Sequence, residues 1–505
     1  MAYAVALYAV VAAFVSALLL VAYISINDAA LGRIPTRVAE AAPENKRWRK
    51  ADFEEVSKRL DENPIRIEDA LPPKTGRRYI VVGGAGFLGG WIIQHLLKRG
   101  EPPSNIRIVD LRPPTRLDFQ SGPASQIPFV KADITEPDQV VAAFKAAWPP
   151  LSSSSNSEIT VFHTAAVIRF YERHPSLLPL SKINVVGAEN VIKASQAVGA
   201  SILIYTSSGS VVQRSIRLLL FPWVEKEPRN FVQVLGDQEP SELPSTLDGF
   251  TCCYSFTKLE AETMVRKADK SFSGSKETTA RTLRTGCLRP VNAIYGPGAD
   301  LYEFMLKNGH DNYSFFPNII TSNIYVENCS LAHLCYEQRL IELTTTTSTT
   351  TPPDIGGQMF TVTDSEQPIF WSDIYDAISH FTNNKCRNKV LKPTLLIVAA
   401  IVIEQYYLLR YRLSSSRFPP LAFIGTRILP PLSGNLQSLQ PSVTMLAHTH
   451  LFMDDSRARL SPGKGGLGYK ASWSALEGLY KTIKQFETEG SLRPASTAAG
   501  FGHGK

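Results

Sequence analysis

The chain reads as an α/β protein built on a doubly wound parallel sheet, and three observations lead there. A short apolar strand, RRYIVV, runs into glycines at GxxGxxG spacing, Gly83, Gly86 and Gly89, and then into a helix. Apolar strands and helical stretches alternate from there to about residue 300, and near-continuous apolar strands of this kind belong to a parallel sheet covered on both faces. A chain of 505 residues with ordinary globular composition is also long enough to bury a large core and carry a second, smaller region.

Met1 to Asn27 carries no charged side chain. It exceeds the roughly 20 residues that span a bilayer as a helix, so residues 1–27 are predicted to form a transmembrane anchor. A cleaved signal peptide is the competing reading; no Lys or Arg precedes the apolar run, and the run is longer than a usual signal core. Basic residues follow it instead, among them Arg33, Arg37, Lys46, Arg47, Arg49 and Lys50. Positive charge beside a membrane helix stays cytosolic, so the rest of the chain is expected in the cytosol, with the basic cluster near anionic lipid head groups. Residues 28–76 are polar and interrupted by Pro35, Pro43, Pro64, Pro72 and Pro73. They read as a linker with one short helix near Ala51 to Leu60.

Residues 77–300 are predicted to be a Rossmann-type dinucleotide-binding domain. After Gly89, the positions Trp91, Ile92, Ile93, Leu96 and Leu97 give an apolar helix face. IRIVD is a second strand ending in Asp110, and IPFVKADIT a third, ending near Asp133 and Ile134. A helix over Asp138 to Trp148 and a Ser-rich loop, Ser152 to Ser157, precede the strand EITVFHTAAV. The helix SKINVVGAENVIKASQAVG, the strand SILIYTSSGSVV, the helix YSFTKLEAETMVRKA and a sixth strand in RTLRTGCLRPVNAIYGPG follow. Residues 301–490 are less regular and are assigned to a smaller, substrate-binding region. Within it the Thr/Ser run Thr344 to Thr351 reads as a solvated loop. The hydrophobic stretch 395–409 is broken by Glu404; a membrane-apposed or re-entrant helix, a buried core helix and a second span all stay open. Residues 491–505 are expected to be a disordered tail.

A glycine turn that delivers a strand into a helix N-terminus seats a pyrophosphate, because free N–H groups and the helix dipole face the charge. The cofactor is therefore NAD or NADP. Asp110 is placed to accept hydrogen bonds from the ribose hydroxyls and to repel a 2′-phosphate, which favours NAD; Arg112 nearby keeps NADP open. A second GxGxxG match, Gly463, Gly465 and Gly468, follows no strand and reads as a turn.

Tyr254 and Lys258 form YxxxK, which puts a phenol and an ammonium one turn apart on one helix face. The lysine lowers the phenol's pKa so that it exchanges a proton with a substrate alcohol. About one such pair is expected by chance in a chain of this composition, and Tyr480 with Lys484 is a second match. Position separates them, since only Tyr254 follows the fifth strand. That strand ends in Tyr205, Thr206, Ser207 and Ser208, whose hydroxyls face the cleft or serve as turn residues. His448 and His450 lack a carboxylate or thiolate partner at a metal-ligand spacing, so no metal is expected. A net charge of +7 is small for this length and does not argue for a nucleic-acid partner. Six cysteines, two of them adjacent, suit a reducing compartment rather than a disulfide scaffold.

The order of GGAGFLGG, Asp110, ADI, HTAAV, INVVGAENVI, YTSS, YSFTK and LRPVNAIYGPG resembles the extended short-chain dehydrogenases/reductases. More narrowly it resembles the 3β-hydroxysteroid dehydrogenase family, including its sterol-4α-carboxylate 3-dehydrogenases (decarboxylating). The resemblance runs from about Arg77 to Phe486, is most specific up to Gly298, and continues in YVENCSLAH and LGYKASWSALEGLYKTI. It implies that Tyr254 is the general acid/base, that Lys258 tunes it and binds ribose, and that Ser208 holds the substrate oxygen. It further implies that Gly83, Gly86, Phe87, Leu88 and Gly89 line the pyrophosphate, Asp110 the ribose, Asp133 and Ile134 the adenine, and that Ala165 and Ala166 pack under the cofactor. Asn184 is left between a ligand and a helix-capping or water-holding side chain.

The expected function is a membrane-anchored NAD(P)-dependent oxidoreductase acting on the 3β-hydroxyl of a sterol or triterpenoid, with a 4α-carboxysterol and C4 decarboxylation foremost. A 3β-hydroxysteroid dehydrogenase/isomerase and a nucleotide-sugar epimerase-like enzyme are the alternatives within catalysis, and a membrane scaffold the alternative outside it. The resemblance implies the endoplasmic reticulum membrane, with a homodimer or an assembly of sterol enzymes as partners. Two departures touch the substrate side. The segment RSIRLLLFPWVEKEPRNFVQVLG lengthens the interval between Ser208 and Tyr254 and is expected to form a lid or membrane-contacting flap, and a second insertion covers Arg412 to His450.

Overall fold

Seven parallel strands carry the molecule: β1 (Arg78–Val82), β2 (Ile106–Asp110), β3 (Phe129–Lys131), β4 (Ile159–His163), β5 (Ile202–Thr206), β6 (Arg281–Pro290) and β7 (Met359–Val362). They lie in the order β7-β6-β5-β4-β1-β2-β3, with Tyr79–Val82 in register between Ile106–Val109 and Thr160–His163. The computed structural model describes residues 2–492 apart from 44–45, 150–157, 222–223, 275–280, 292–293, 299, 315, 346–351 and 365–366. The Ser-rich loop, most of the Thr/Ser run and the tail beyond Leu492 lie outside the described residues.

Both faces of the sheet are buried, as the sequence pattern requires. Along β1, Tyr79 and Val81 join one apolar cluster with Trp91, Ile92 and Leu96, while Ile80 and Val82 join another with Val140, Val191 and Val265. Tyr79, Ile80, Val81 and Val82 are all fully buried, each aliphatic one contributing about 1.5–3 kcal/mol. Helices α3 (Phe87–Lys98) and α7 (Val326–Thr345) cover the first face; α4 (Pro137–Lys145), α5 (Ile183–Ala197) and α6 (Cys253–Lys267) cover the second. The chain steps outward from β1 to β3 and then returns to place β4 beside β1. That reversal opens a crevice at the carboxyl ends of β1 and β4, where doubly wound sheets bind ligands.

The division at residue 300 is not a spatial one. Edge strand β7 comes from residues 359–362, and a smaller four-stranded sheet borrows Val232–Leu235 to pair in parallel with His450–Met453. Each part of the chain supplies a strand to the other's sheet.

The linker expectation for residues 28–76 is also corrected. The segment contains the short helix Thr36–Ala41 and helix α2 (Lys50–Glu62), and it buries Val38, Phe53, Leu60 and Ile67. Phe53 packs on His380 and Phe381 of α8 (Trp371–Phe381). Prolines and charge on the outer face hid these spaced apolar anchors. Asp61 of α2 takes the hydroxyl of Tyr480 at 2.8 Å and the ammonium of Lys484, so the second YxxxK pair in α10 (Ala475–Glu489) is a structural tie. The second glycine motif is a turn, with Gly465 and Gly468 at φ +79° and +65°.

The N-terminal helix α1 runs from Ala2 to Leu31. It is long and apolar enough to cross a membrane, and none of its most apolar stretch is buried. Its end docks on the body. Asn27 donates to the Leu218 carbonyl at 3.1 Å and to Thr394 Oγ1 at 2.8 Å, and Asp28 accepts from the backbone N–H and hydroxyl of Thr394 at 2.8 and 2.6 Å. Leu31, Ile216, Leu218 and Ile397 close an apolar cluster around these bonds. The insertion after Ser208 is therefore packed at the foot of α1 against helix α9 (Pro393–Ser414). Helix α9 buries Ile397, Ala400, Glu404 and Leu408 along one stripe and exposes Leu395, Val398, Val402 and Leu409 on the other.

Candidate active site

The glycines are there because backbone passes where side chains would be. A Cβ on Gly89 would stand 2.2 Å from the Gly83 carbonyl oxygen, and one on Gly83 would stand 2.6 Å from the amide nitrogen of Ala165. Gly83 also sits at φ +84°, a conformation that favours glycine. Gly86 caps α3 without any side-chain hydrogen bond, and Phe87 and Leu88 open its first turn, which carries no acidic residue. That first turn keeps unclaimed N–H groups and the positive end of the helix dipole. The cradle fits a pyrophosphate.

Asp110 stands at the end of β2 with its carboxylate accepting the Ala85 N–H at 3.1 Å and the Leu111 N–H at 2.7 Å. It thus adjoins the glycine turn, and burial pushes its pKa up. Asp133 spends a carboxylate oxygen on its own turn, accepting from the Thr135 N–H at 2.9 Å and hydroxyl at 2.7 Å. Ile134 packs against Gly187, where a Cβ would meet Ile134 Cδ1 at 2.4 Å.

Ala165 and Ala166 follow β4, and the Ala165 N–H reaches the Val82 carbonyl at 3.1 Å. Asn184 brackets the next peptide. Its Oδ1 accepts from the Val167 N–H at 2.8 Å, its Nδ2 donates to the Val167 carbonyl at 3.1 Å, and the same Nδ2 reaches Thr257 Oγ1 at 3.3 Å. It ties the loop after β4 to α6.

Tyr254 and Lys258 lie in the first turns of α6. Burial raises the pKa of the Tyr254 hydroxyl, and the neighbouring Ser208 side chain opposes the rise. Ser208 also shares a 2.9 Å bond with the Ser210 hydroxyl. Lys258 is buried, donates to the Thr206 carbonyl at 2.5 Å and lies 4.1 Å from the centre of the Tyr205 ring. Burial brings its pKa down to about 7. The fold therefore joins Ser208, Tyr254 and Lys258 at the carboxyl end of β5. A phenol beside a hydroxyl, with an ammonium at the same strand end, can pass a proton to or from a substrate oxygen.

Two histidines at this strand end escaped the sequence reading as site residues. His333 of α7 meets the Thr206 hydroxyl at 2.7 Å through Nε2, while its Nδ1 faces the Cys329 carbonyl at 2.8 Å. The carbonyl can only accept, so Nδ1 carries the proton and Thr206 donates to Nε2. His163, at the end of β4, is buried with its ring 5.3 Å from that of Tyr205. Burial, with the Lys258 charge adding to it, brings its pKa down to about 3. The only signals were the HTAAV and SLAH segments, since spacing alone does not say which element a distant histidine faces.

Residues 80–385 match the model of the 3-beta hydroxysteroid dehydrogenase/isomerase family. The chain belongs to this family. It is 27% identical over 437 residues to the 3beta-hydroxysteroid-dehydrogenase/decarboxylase isoform 2 of Arabidopsis thaliana, covering 82% of this chain and 62% of that protein's length. It is 28% identical to the sterol-4-alpha-carboxylate 3-dehydrogenase, decarboxylating, of Candida albicans, over 58% of this chain and 72% of the relative. Family and relatives indicate an oxidoreductase that uses a nicotinamide cofactor. Among solved structures, that of gox2253 matches with a TM-score of 0.50 at 17% identity, covering 82% of this chain and 98% of the other; this likeness shows the fold alone.

Proposed function

We propose that the protein is a membrane-anchored NAD-dependent dehydrogenase that oxidises the 3β-hydroxyl of a 4α-carboxysterol and so brings about loss of the C4 carboxylate. The observation that carries the reading is the gathering of Ser208, Tyr254 and buried Lys258 at the carboxyl end of β5, at the mouth of a crevice whose other end is the glycine cradle.

Gly83, Gly86, Phe87, Leu88 and Gly89 would hold the pyrophosphate, Asp110 the adenosine ribose, and Ala165 and Ala166 the underside of the cofactor. Asp133 and Ile134 would line the adenine. Lys258 would hold the second ribose. When bound, the nicotinamide supplies the hydride acceptor. Ser208 donates to the substrate oxygen and Tyr254 takes its proton. In its charged form Lys258 would favour the phenolate by simple Coulomb attraction. In a 3-keto-4-carboxylate the new ketone lies β to the carboxylate and receives the electron pair as the C–CO₂ bond breaks, so no further catalytic residue is required.

The name of the Candida albicans relative supports the carboxysterol substrate. The preference for NAD over NADP is argued from Asp110, whose carboxylate would repel a 2′-phosphate. Helix α1 is read as the anchor, and the exposed apolar side of α9 at its foot as lying against the same bilayer. The endoplasmic reticulum, with the body in the cytosol, suits a substrate dissolved in lipid and the basic residues after α1. The test is NAD⁺ reduction by detergent-solubilised protein given a 4α-carboxysterol or a plain 3β-hydroxysteroid, with CO₂ followed in parallel.

A further inference from the structure

We infer that Glu404 and Tyr407 of α9 are positioning residues for the catalytic tyrosine, acting through residues 172–174. The inference rests on the proposed roles of Tyr254 and Lys258 and extends them to a helix that touches neither.

A carboxylate in the middle of LLIVAAIVIEQYYLL is costly unless it is paired. Glu404 is buried and answers the Arg173 guanidinium two-fold, at 2.7 Å from Nε to Oε1 and 2.8 Å from Nη2 to Oε2. One turn on, the Tyr407 hydroxyl donates to Glu172 Oε1 at 2.7 Å, and Arg169 Nη1 stands 3.0 Å from the same oxygen. Farther along, Arg412 Nη2 approaches His174 Nε2 at 3.2 Å. Glu404 and Tyr407 share the inward side of α9, three positions apart as helical geometry requires; the outward side is apolar and exposed. Polar contact with residues 172–174 thus fixes the middle and C-terminal half of α9 on the body, as Thr394 and Ile397 fix its start.

The same residues hold the start of the catalytic helix. The main-chain N–H of Cys253, the first residue of α6, donates to the Glu172 carbonyl at 2.7 Å, and Cys253 Sγ reaches the His174 carbonyl at 3.6 Å. The first N–H groups of a helix have no partner within it, so Glu172 supplies the one that fixes where α6 begins. Tyr254 is the next residue. Glu172 therefore contributes its carboxylate to α9 and its carbonyl to the peptide before the catalytic phenol. A shift of α9 is passed to Tyr254 through the short segment 172–174, and displacements near 1 Å at a reacting centre cost about 100-fold in rate.

The experiment uses the full chain in vesicles of zwitterionic lipid with Glu404→Gln, Tyr407→Phe and the outward control Val402→Ala, each checked for cooperative unfolding. Hydrogen exchange of a peptide covering 250–258 is read alongside kcat and KM. The expected result for Glu404→Gln and Tyr407→Phe is faster exchange at Cys253 and a kcat lower by about 10- to 100-fold. NAD⁺ affinity and the exchange of 475–489 stay unchanged, and Val402→Ala behaves as the native protein. Arg173→Glu combined with Glu404→Arg restores kcat to within a few-fold, which a loss of general stability would not permit. Native exchange at Cys253 with native kcat in both single variants, or no recovery in the reversed pair, overturns the inference. Faster exchange at Cys253 in a protein that reduces NAD⁺ with no 3β-hydroxysterol upholds the coupling and removes the proposed function instead.

Discussion

The buried ammonium of Lys258 donates to the main-chain carbonyl of Thr206 at 2.5 Å, which fastens helix α6 to the end of the fifth strand. The Thr206 hydroxyl is in turn given to His333. Strand β5, helix α6 and helix α7 thus meet at one residue, and the charge in the site depends on how well that lysine is solvated.

Lys258 gives the ligand-free protein a pH-dependent stability. Its pKa falls from 10.5 to about 7 on folding, so between these values the unfolded chain keeps a proton that the folded chain has released. Stability therefore rises with pH through that window, by up to about 1.4 kcal/mol per pH unit, and the penalty is fully present below pH 7. Lys258→Met removes this slope. Urea unfolding of both proteins at pH 6.5, 8 and 9.5 checks it, with the variant's advantage shrinking as pH rises.

Tyr254→Phe keeps the fold and the cofactor seat but removes the group proposed to exchange the proton. Turnover drops about 100- to 10,000-fold, while NAD⁺ binding measured by calorimetry is unchanged. Retained turnover would move the acid/base role elsewhere.

Much of this site was legible because glycine and the strand–turn–helix order leave few alternatives. Gly83, Gly89, Asp110, Ser208, Tyr254 and Lys258 lie where the sequence put them, since each stands at a strand end or in the first turns of the helix that follows. Residues whose role depends on a distant element were not legible. His333 reaches Thr206 from α7, Phe53 of the supposed linker packs on α8, and Val232–Leu235 pairs with His450–Met453. Nothing local in those segments specifies the partner, so the linker and the boundary at residue 300 were misread. Glu404 looked like a flaw in a hydrophobic stretch and is one half of an ion pair with Arg173.

Asp110→Ala takes away the carboxylate that would repel a 2′-phosphate and also one hydrogen bond to the glycine turn. The ratio of kcat/KM for NAD⁺ over NADP⁺ falls at least about tenfold, the equivalent of about 1.4 kcal/mol, chiefly through a higher KM for NAD⁺. An unchanged ratio would place cofactor choice on Arg112 or elsewhere.

Gly89→Ala drives a methyl group into the Gly83 carbonyl, which must move to accommodate it. Overpacking of this kind costs about 1–3 kcal/mol. A lower urea midpoint with weakened NAD⁺ binding is expected, whereas Gly463→Ala, whose Cβ meets open space, leaves both unaltered.

The most direct test of the central claim is the coupled assay of NADH formation and CO₂ release with a 4α-carboxysterol. Equal amounts of NADH and CO₂ from the carboxysterol, both abolished by Tyr254→Phe, are the predicted result. NADH from a plain 3β-hydroxysteroid with no product from the carboxysterol, or no reduction with either, would contradict it.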